Sequence, residues 1–466
     1  MNIKINRNDN SKTLVSQVYE EIKSKIHNGI IIPSQKIPST RQLSKDLQVS
    51  RNVIVEAYEQ LYAEGYIKTL RGSGTFINNG LFLENYKTLH KIKRENIKGL
   101  KIEPDENIID FRTGVPNLSM FPKELWGKLY KKVCQQIDSI QFDYHEPRGC
   151  YDLRYELAVY LKRTRGILCQ PSQVIITTGA AQSFSMIGEV FNNKDKKNIL
   201  VEDPLSKGIL ECLEKTDLEI HTIPVDLNGM NTKLLPKKLT PNLIFTTPSH
   251  QFPTGSILSI KRRVDLIEYA RKKSSYIVED DYDSEFRFEG FPIKSMQSLA
   301  PERVIYVGTF SKILCPALRL AYIIVPEKLI KEMCYVKSVY DIHSPILEQL
   351  TLSVFIKNGY LDKHIRKLKG FYKRKVELIT NEIRKHFNNN IYISGNSAGI
   401  HLVLNFKNFN FQEDFIKKLE NNGLRVQTVE KHAINKGNHM NEILMGYGNL
   451  SDEEIIDGIK ILRELL

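Results

Sequence analysis

From about residue 108 onward, short apolar runs rich in β-branched residues alternate with segments of helical period. Val174–Thr177 precedes a helical run from Ala181 to Phe191, and Ile199–Glu202 precedes Lys207–Lys215. Leu243–Thr246 precedes Lys261–Lys272, and Tyr276–Glu279 and Val304–Val307 follow. Strands separated by helix-length crossovers pair in parallel, so this pattern dictates an α/β domain with a mostly parallel sheet. Such sheets bind ligands beyond the carboxyl ends of their strands, and the chemically suggestive stretches of this chain fall there.

The most suggestive is the segment Val304–Tyr322, which reads as strand, loop, strand. Lys312 stands in the loop with Phe310, Ile313 and Leu314 close by. An amine among apolar groups resists protonation and becomes a usable nucleophile for an aldehyde. Thr309 and Ser311 flank it with hydroxyls and Arg319 follows with a guanidinium, a set that suits an aldehyde carrying a phosphate. Thr178-Gly179-Ala180-Ala181-Gln182 joins a strand to a helix. There Gly179 permits close approach, and the helix N-terminus offers unpaired N–H groups to an anion. The acidic stretch Glu279-Asp280-Asp281-Tyr282-Asp283-Ser284-Glu285 ends another strand. By itself it suits a solvated turn or a divalent cation.

The N-terminal part has a different grammar. Leu14, Val18, Ile22 and Ile26 recur at helical spacing over residues 12–28. Ser39-Thr40-Arg41-Gln42 fits a capping box that opens a short helix, and Ser50 is the N-cap of the next. That helix carries Ile54, Ala57, Tyr58 and Leu61 on one face and stops at Gly65. Tyr66-Ile67-Lys68 and Thr75-Phe76-Ile77, joined at Arg71-Gly72-Ser73-Gly74, form a hairpin. Two capped helices with a tight turn and a hairpin make a winged helix-turn-helix. Its second helix presents Arg51 and Asn52, which can make paired hydrogen bonds to base edges.

Composition narrows the setting. The chain has 466 residues, enough for two or three domains, and a formal net charge of +13, which favours a polyanionic partner without identifying it. Residues 79–107, dominated by Lys87, His90, Lys91, Lys93, Arg94, Lys98 and Lys101, read as a flexible basic linker. The six cysteines form no C-x-x-C pair, which argues against a zinc site or disulfide framework and fits a reducing cytoplasm. The N-terminus is polar rather than signal-like, and no apolar run is long enough for a membrane span.

Gly308-Thr309-Phe310-Ser311-Lys312 followed by Leu318-Arg319-Leu320-Ala321-Tyr322 resembles the internal-aldimine loop of fold-type I aminotransferases, which bind pyridoxal phosphate (PLP). Pro38-Ser39-Thr40-Arg41, Val49-Ser50-Arg51-Asn52, Glu64-Gly65-Tyr66 and Gly72-Ser73-Gly74-Thr75 are similar to the GntR-family winged helix. Together the two halves resemble the MocR/GabR-type bacterial regulators. The resemblance implies a DNA-binding domain over residues 1–78, the linker 79–107, and an aminotransferase-like domain over 108–466 with a small subdomain at about 340–466.

It also implies roles. Lys312 would carry PLP, Asp280 would pair with the ring nitrogen, and Tyr282 would hydrogen-bond the ring oxygen. Backbone at Ala180 and Ala181, with Thr309, Ser311 and Arg319, would hold the phosphate, and Tyr144 would reach the phosphate of the other subunit in a homodimer. Ser39, Arg41, Ser50, Arg51, Asn52, Arg71, Gly72 and Thr75 would contact double-stranded operator DNA. No metal and no membrane partner are expected. The chain departs from the family pattern at Ser206, where relatives carry a stacking aromatic, and at Phe252, where aminotransferases carry an asparagine that His250 or Gln251 would have to replace. The substrate-clamping arginine has no match in Ile443–Tyr447, which leaves Arg425 by position. Three functions fit: a regulator sensing a small amine or amino acid through a PLP aldimine, a working aminotransferase, or a regulator of PLP supply that reads PLP itself.

Overall fold

The computed structural model describes Met1 and residues 3–7, 12–79, 108–194, 197–290, 293–387 and 390–466. The chain divides into two compact units, residues 1–103 and 104–466. Beyond residue 79, the linker expected over 79–107 lies outside the described residues.

The first unit contains α1 (Leu14–His27), β1 (Lys36–Ile37), α2 (Thr40–Leu47), α3 (Arg51–Ala63), β2 (Ile67–Leu70) and β3 (Gly74–Ile77). Val18, Ile22 and Ile26 on α1 pack with Leu43 on α2 and with Ile54, Ala57 and Leu61 on α3. Leu43 is fully buried, which contributes roughly 1.5–3 kcal/mol. The hairpin β2–β3 forms, with Lys68 opposite Phe76. A third strand, β1, adds itself to β3 with Ile37 opposite Thr75. The capping box is only half formed. Ser39 accepts from the Gln42 amide, but the Gln42 side chain turns one helical turn forward to Asp46, 2.8 Å away. Ser50 occupies the N-cap position of α3 without a side-chain cap bond.

In the second unit β4 (Ile109–Asp110), α4 (Lys123–Gln136) and α5 (Tyr151–Arg165) lead into the main sheet. Then come β5 (Val174–Thr177), α6 (Ala180–Asn192), β6 (Asn198–Asp203), α7 (Lys207–Leu213), β7 (Glu219–Asp226) and β8 (Gly229–Met230). β9 (Leu243–Thr246), α8 (Ile260–Lys273), β10 (Tyr276–Asp281), β11 (Val304–Thr309) and β12 (Ala321–Ile324) complete it. The strand order is β5-β12-β11-β10-β9-β6-β7-β8. β11, β10, β9, β6 and β7 pair in parallel, as the alternating pattern requires. β12 runs antiparallel between β11 and β5. A parallel neighbour needs a crossover of about a dozen residues or more, usually a helix. The short loop between β11 and β12 instead turns straight back, so Lys312 stays at the carboxyl edge of the sheet.

The remaining chain forms α9 (Ile330–Asp341), α10 (Ile346–Lys357), α11 (Tyr360–Phe387), β13 (Ile391–Ser394), β14 (His401–Phe406), α12 (Glu413–Asn421), β15 (Leu424–Arg425), β16 (Gln427–Thr428), β17 (Glu442–Gly446) and α13 (Asp452–Leu465). A four-stranded sheet of order β13-β14-β17-β16 is the centre of a small subdomain. The segment that opens the second unit belongs with it. β4 pairs with β15, Asp110 opposite Arg425, and Phe111 is fully buried in the same apolar cluster as Tyr372 and Ile443.

Candidate functional site

β5 ends at Thr177, β10 at Asp281 and β11 at Thr309, all at one edge of the sheet. Register fixes the row: Thr309 lies opposite Ala321, which lies opposite Thr177. β11 and β5 are thus two strand spacings apart, roughly 9–10 Å. Over β5 stands the N-terminus of α6. Gly179 is its N-cap at φ 132°, a left-handed conformation open to glycine. The Gly179 carbonyl accepts from the amides of Gln182 and Ser183. The amides of Ala180 and Ala181 have no intrahelical acceptor and carry the positive end of the helix dipole. A Cβ on Gly179 would overlap the guanidinium of Arg319, so that guanidinium lies directly over the helix start. Arg319 holds this place in the left-handed region at φ 50°, a conformation that costs an L-residue of order 1–3 kcal/mol. From β11, Thr309 Oγ1 is 3.1 Å from Ser311 Oγ and accepts from the Ser311 amide at 3.2 Å. Amides, guanidinium and hydroxyls make a cradle for a phosphate.

Lys312 follows. Its Nζ donates to the Gly114 carbonyl, and a Cβ on Gly114 would come within 3.1 Å of that Nζ. Burial pushes its ammonium below the ordinary lysine range, while the negative charges of Asp283 and Asp280 pull it partly back. Asp280 sits on β10 opposite Val307 of β11. Burial, together with Asp281, Asp283 and Glu202, drives its carboxyl well above the usual range, and Lys312 opposes this. Asp281 is neutralised from below: Arg165 stands 2.7 Å away and Tyr306 donates to it at 2.6 Å. The site is thus a carboxylate-lined floor with a reactive amine at its lip and an anion cradle beside it.

Behind the floor, His250 Nδ1 is 2.9 Å from Asp283 Oδ2 and 3.1 Å from Tyr282 Oη. His401 of β14 packs against His250 with ring centres 4.7 Å apart and planes tilted by 45°, and turns Nε2 to the Pro253 carbonyl at 3.1 Å. His250, Asp283 and His401 bring one ligand-type atom each within 4.8 Å of the others. The 2.9 Å contact is a shared hydrogen bond rather than a metal-ligand spacing. Gln251 is committed to the loop: its amide donates to Pro204 O and Phe252 O at 2.8 Å and to Glu202 at 3.3 Å. Of the two residues expected to replace the missing asparagine, His250 is the one against Tyr282. Asp203, at the end of β6, accepts from Ile434 N and Asn435 N and so ties the small subdomain to this edge.

Other expected residues stand apart. The Arg425 guanidinium is engaged by Glu420 at 2.7 Å and Asp110 at 3.3 Å. Tyr144 is 79% exposed, its ring 6.3 Å from that of His343. Ser206 is the N-cap residue of α7. Sequence reasoning gave no role to Gly114, Asp283, Arg165 or His401. Nothing local marks a backbone carbonyl as the partner of a distant lysine.

In the first unit, Ser50, Arg51 and Asn52 are exposed at the start of α3, and Arg41 is exposed on α2. Arg71 and Gly72, at φ 82°, form the exposed wing turn, and half-buried Thr75 lies on β3 opposite Thr69. Ser39 caps α2 with an exposed side chain.

Residues 14–77 match the bacterial regulatory proteins of the gntR family, and residues 116–436 match the class I and II aminotransferases. The chain is 33% identical to the uncharacterized HTH-type transcriptional regulator YdeL of Bacillus subtilis, covering 97% of this chain and 96% of that one. It is 30% identical to the probable rhizopine catabolism regulatory protein MocR of Rhizobium meliloti, over 96% of this chain and 92% of that one. Among solved structures, the multiple substrate aminotransferase of Thermococcus profundus superposes with a TM-score of 0.72 at 26% identity, over 80% of this chain and 94% of that one. An anion cradle beside a buried lysine, behind a winged helix and across nearly the full length of such relatives, leaves one conclusion: the chain belongs to the HTH-type transcriptional regulators in which a gntR-family DNA-binding domain precedes a class I and II aminotransferase domain.

Proposed function

We propose that this regulator binds double-stranded operator DNA as a homodimer in the cytoplasm and uses PLP, held at Lys312, to sense a small amine or amino acid. The observation that carries this is the lysine amine between two buried carboxylates and a glycine-floored anion cradle. The residues fit the group. A phosphate would rest on the Ala180 and Ala181 amides under Arg319, with Thr309 and Ser311 beside it. Asp280 would meet the ring nitrogen, and Tyr282 the ring oxygen. When bound, PLP supplies an electrophilic aldehyde on an electron-withdrawing ring.

This chain's residues then act as follows. Lys312, its ammonium form disfavoured by burial, would be the residue that holds the aldehyde carbon, and an incoming amine would compete with it for that place. Once free, its Nζ falls to the Gly114 carbonyl, beside Asp280 and Asp283. Gly114 leads from β4, and β4 pairs with β15 of the small subdomain. A change at Lys312 would therefore act on a segment paired with that subdomain. Arg425, the candidate clamp for a substrate carboxylate, is instead held apart by Glu420 and Asp110, which favours a sensor over a working aminotransferase.

The test is Lys312→Ala in the full chain. The wild type mixed with PLP should develop a visible absorption band that the variant lacks. Operator binding, measured with PLP and a panel of small amines, should respond in the wild type alone. A variant that keeps the band, or keeps the full amine response, would reject sensing at Lys312.

A further inference from the structure

Asp283, His250 and Gly399 meet at one buried point against Tyr282. The Asp283 and His250 side chains are both 0% exposed. His250 Nδ1 faces two oxygens at once, Asp283 Oδ2 at 2.9 Å and Tyr282 Oη at 3.1 Å. A ring nitrogen carries either a proton or a lone pair, so it cannot donate to one oxygen while accepting from the other. The other nitrogen decides which. His250 Nε2 is buried with no partner and faces the backbone of Gly255 and Gly395. A proton there would be an orphaned buried donor, so the proton belongs on Nδ1, where Asp283 accepts it. The Tyr282 hydroxyl then keeps its own proton, for which Asp283 is also an acceptor, so a ligand oxygen at Tyr282 would compete with that carboxylate. Without the carboxylate, Nδ1 becomes an acceptor and draws the hydroxyl to itself. The dyad thereby determines which way the Tyr282 hydroxyl points.

The small subdomain closes over this dyad. A Cβ on Gly399 would overlap the His250 ring and Asp283 Oδ2, and Gly399 holds φ 76°. Its amide donates to the Phe286 carbonyl at 2.8 Å, and its carbonyl accepts from Tyr447 at 2.9 Å. His401, two residues on, packs its ring at a tilt against His250. The charged and titratable groups that act on the dyad include Asp280, Asp281, Tyr282 and Lys312 from the large domain and His401 and Tyr447 from the small subdomain. Burial keeps His401 neutral, so its contact with His250 is one of packing.

We infer that Asp283 and His250 are positioning residues for the Tyr282 hydroxyl, and that Gly399 makes their alignment depend on where the small subdomain sits. The inference rests on the proposed binding of PLP with its ring oxygen toward Tyr282. A change in subdomain position would then alter the proton balance at the ligand ring.

The experiment follows the visible band of PLP-loaded full-length protein against pH in the wild type, Asp283→Asn, His250→Leu, His250→Asn and Gly399→Ala. Asp283→Asn is nearly isosteric and secures a folded arm. Bound PLP is counted after denaturation. The expected result is PLP retained in all variants, with the pH midpoint of the band displaced by about one unit in Asp283→Asn, His250→Leu and Gly399→Ala. His250→Asn, whose amide nitrogen can stand near the Nδ1 position, should fall closer to the wild type. Midpoints equal to the wild type in Asp283→Asn and His250→Leu overturn the dyad, as does a loss of PLP from Asp283→Asn. A wild-type midpoint in Gly399→Ala alone overturns the role of the small subdomain. A wild type with no visible band overturns the PLP reading, and this inference with it.

Discussion

Glu202 ends β6 with its carboxylate wholly enclosed. Thr246 donates to it at 2.6 Å, the Thr247 amide at 3.1 Å and Gln251 at 3.3 Å. Burial outweighs these bonds and pushes its pKa from 4.5 up to about 7. The native state therefore holds more protons at this site than the unfolded chain between those two values. Stability that is fully present below pH 4.5 is lost as pH rises through 7. For an isolated group the shift corresponds to roughly 3 kcal/mol. Glu202→Gln can keep the bonds, since the Thr246 hydroxyl can reverse and accept, and it removes a negative charge that acts on Asp280. The variant should be more stable than the wild type at pH 8 and close to it at pH 4.5, as measured by denaturant unfolding. A difference that does not widen with pH would show that Glu202 is already ionised at no cost.

At the scale of elements, α3 carries the clearest DNA prediction. Its first turn exposes Arg51 and Asn52, while Ile54, Ala57, Tyr58 and Leu61 anchor the opposite face in the core. If Arg51 reads a base edge, Arg51→Ala should weaken specific operator binding by about 1–3 kcal/mol and relax the preference at one position. Lys68, on β2 of the wing, should meet phosphate only, so Lys68→Ala should weaken all sequences alike and lower the salt dependence. Competition binding on operator and scrambled DNA separates the two, and equal losses on both DNAs for Arg51→Ala would refute base reading. These elements were legible in the sequence because their signals are local: residues one helical turn apart, glycines at turns, a serine at a cap. The strands of the main sheet were legible for the same reason, but their order was not. Ala321–Ile324 is an apolar run that reads alike in either direction, and its antiparallel place follows from a loop too short to cross over. β1, two residues long, gives no periodic signal at all. Lys312 and Arg319 could be singled out from the chemistry of their own loop, whereas Asp280 and Tyr282, at the end of β10, took their roles only from the family resemblance. Gly114 and His401 reach the site from segments far away in the chain, so their roles needed the tertiary structure. Arg425 had only its position to recommend it, and Glu420, five residues earlier, claims its guanidinium.

One helix in one major groove covers too little DNA for tight specific binding, so the whole molecule should act as a dimer on two half-sites. The second unit carries a surface suited to that. Ile140, Phe142 and Tyr144 are 77%, 63% and 79% exposed in the segment before α5. On α9, Tyr335 and Val339 are 71% and 70% exposed one turn apart, while Met333 and Val336 face the core. His343, just past α9, has its ring 6.3 Å from Tyr144 and 5.6 Å from His145. Exposed large apolar side chains of this kind are what a dimer would cover, and a second copy would present the same residues in a two-fold arrangement. The patch also has a link to the cradle. Gln182 of α6 accepts from the Thr178 amide at 2.9 Å and donates to Asp341, at the end of α9, at 2.9 Å; Lys337 binds both. The double variant Tyr335→Glu, Val339→Glu places two negative charges on the patch and leaves the buried face of α9 untouched. Sedimentation should find a dimer in the wild type and a monomer in the variant, with the α-helical circular dichroism unchanged. Operator affinity should fall steeply, because two weak half-site contacts no longer add in one molecule. PLP should bind less tightly as well, since Tyr144 of a second copy would no longer complete the phosphate cradle. A variant that stays dimeric at micromolar concentration would move the interface elsewhere. A monomer that holds PLP as tightly as the wild type would remove Tyr144 from the site and leave the cradle to Arg319, Thr309, Ser311 and α6 alone.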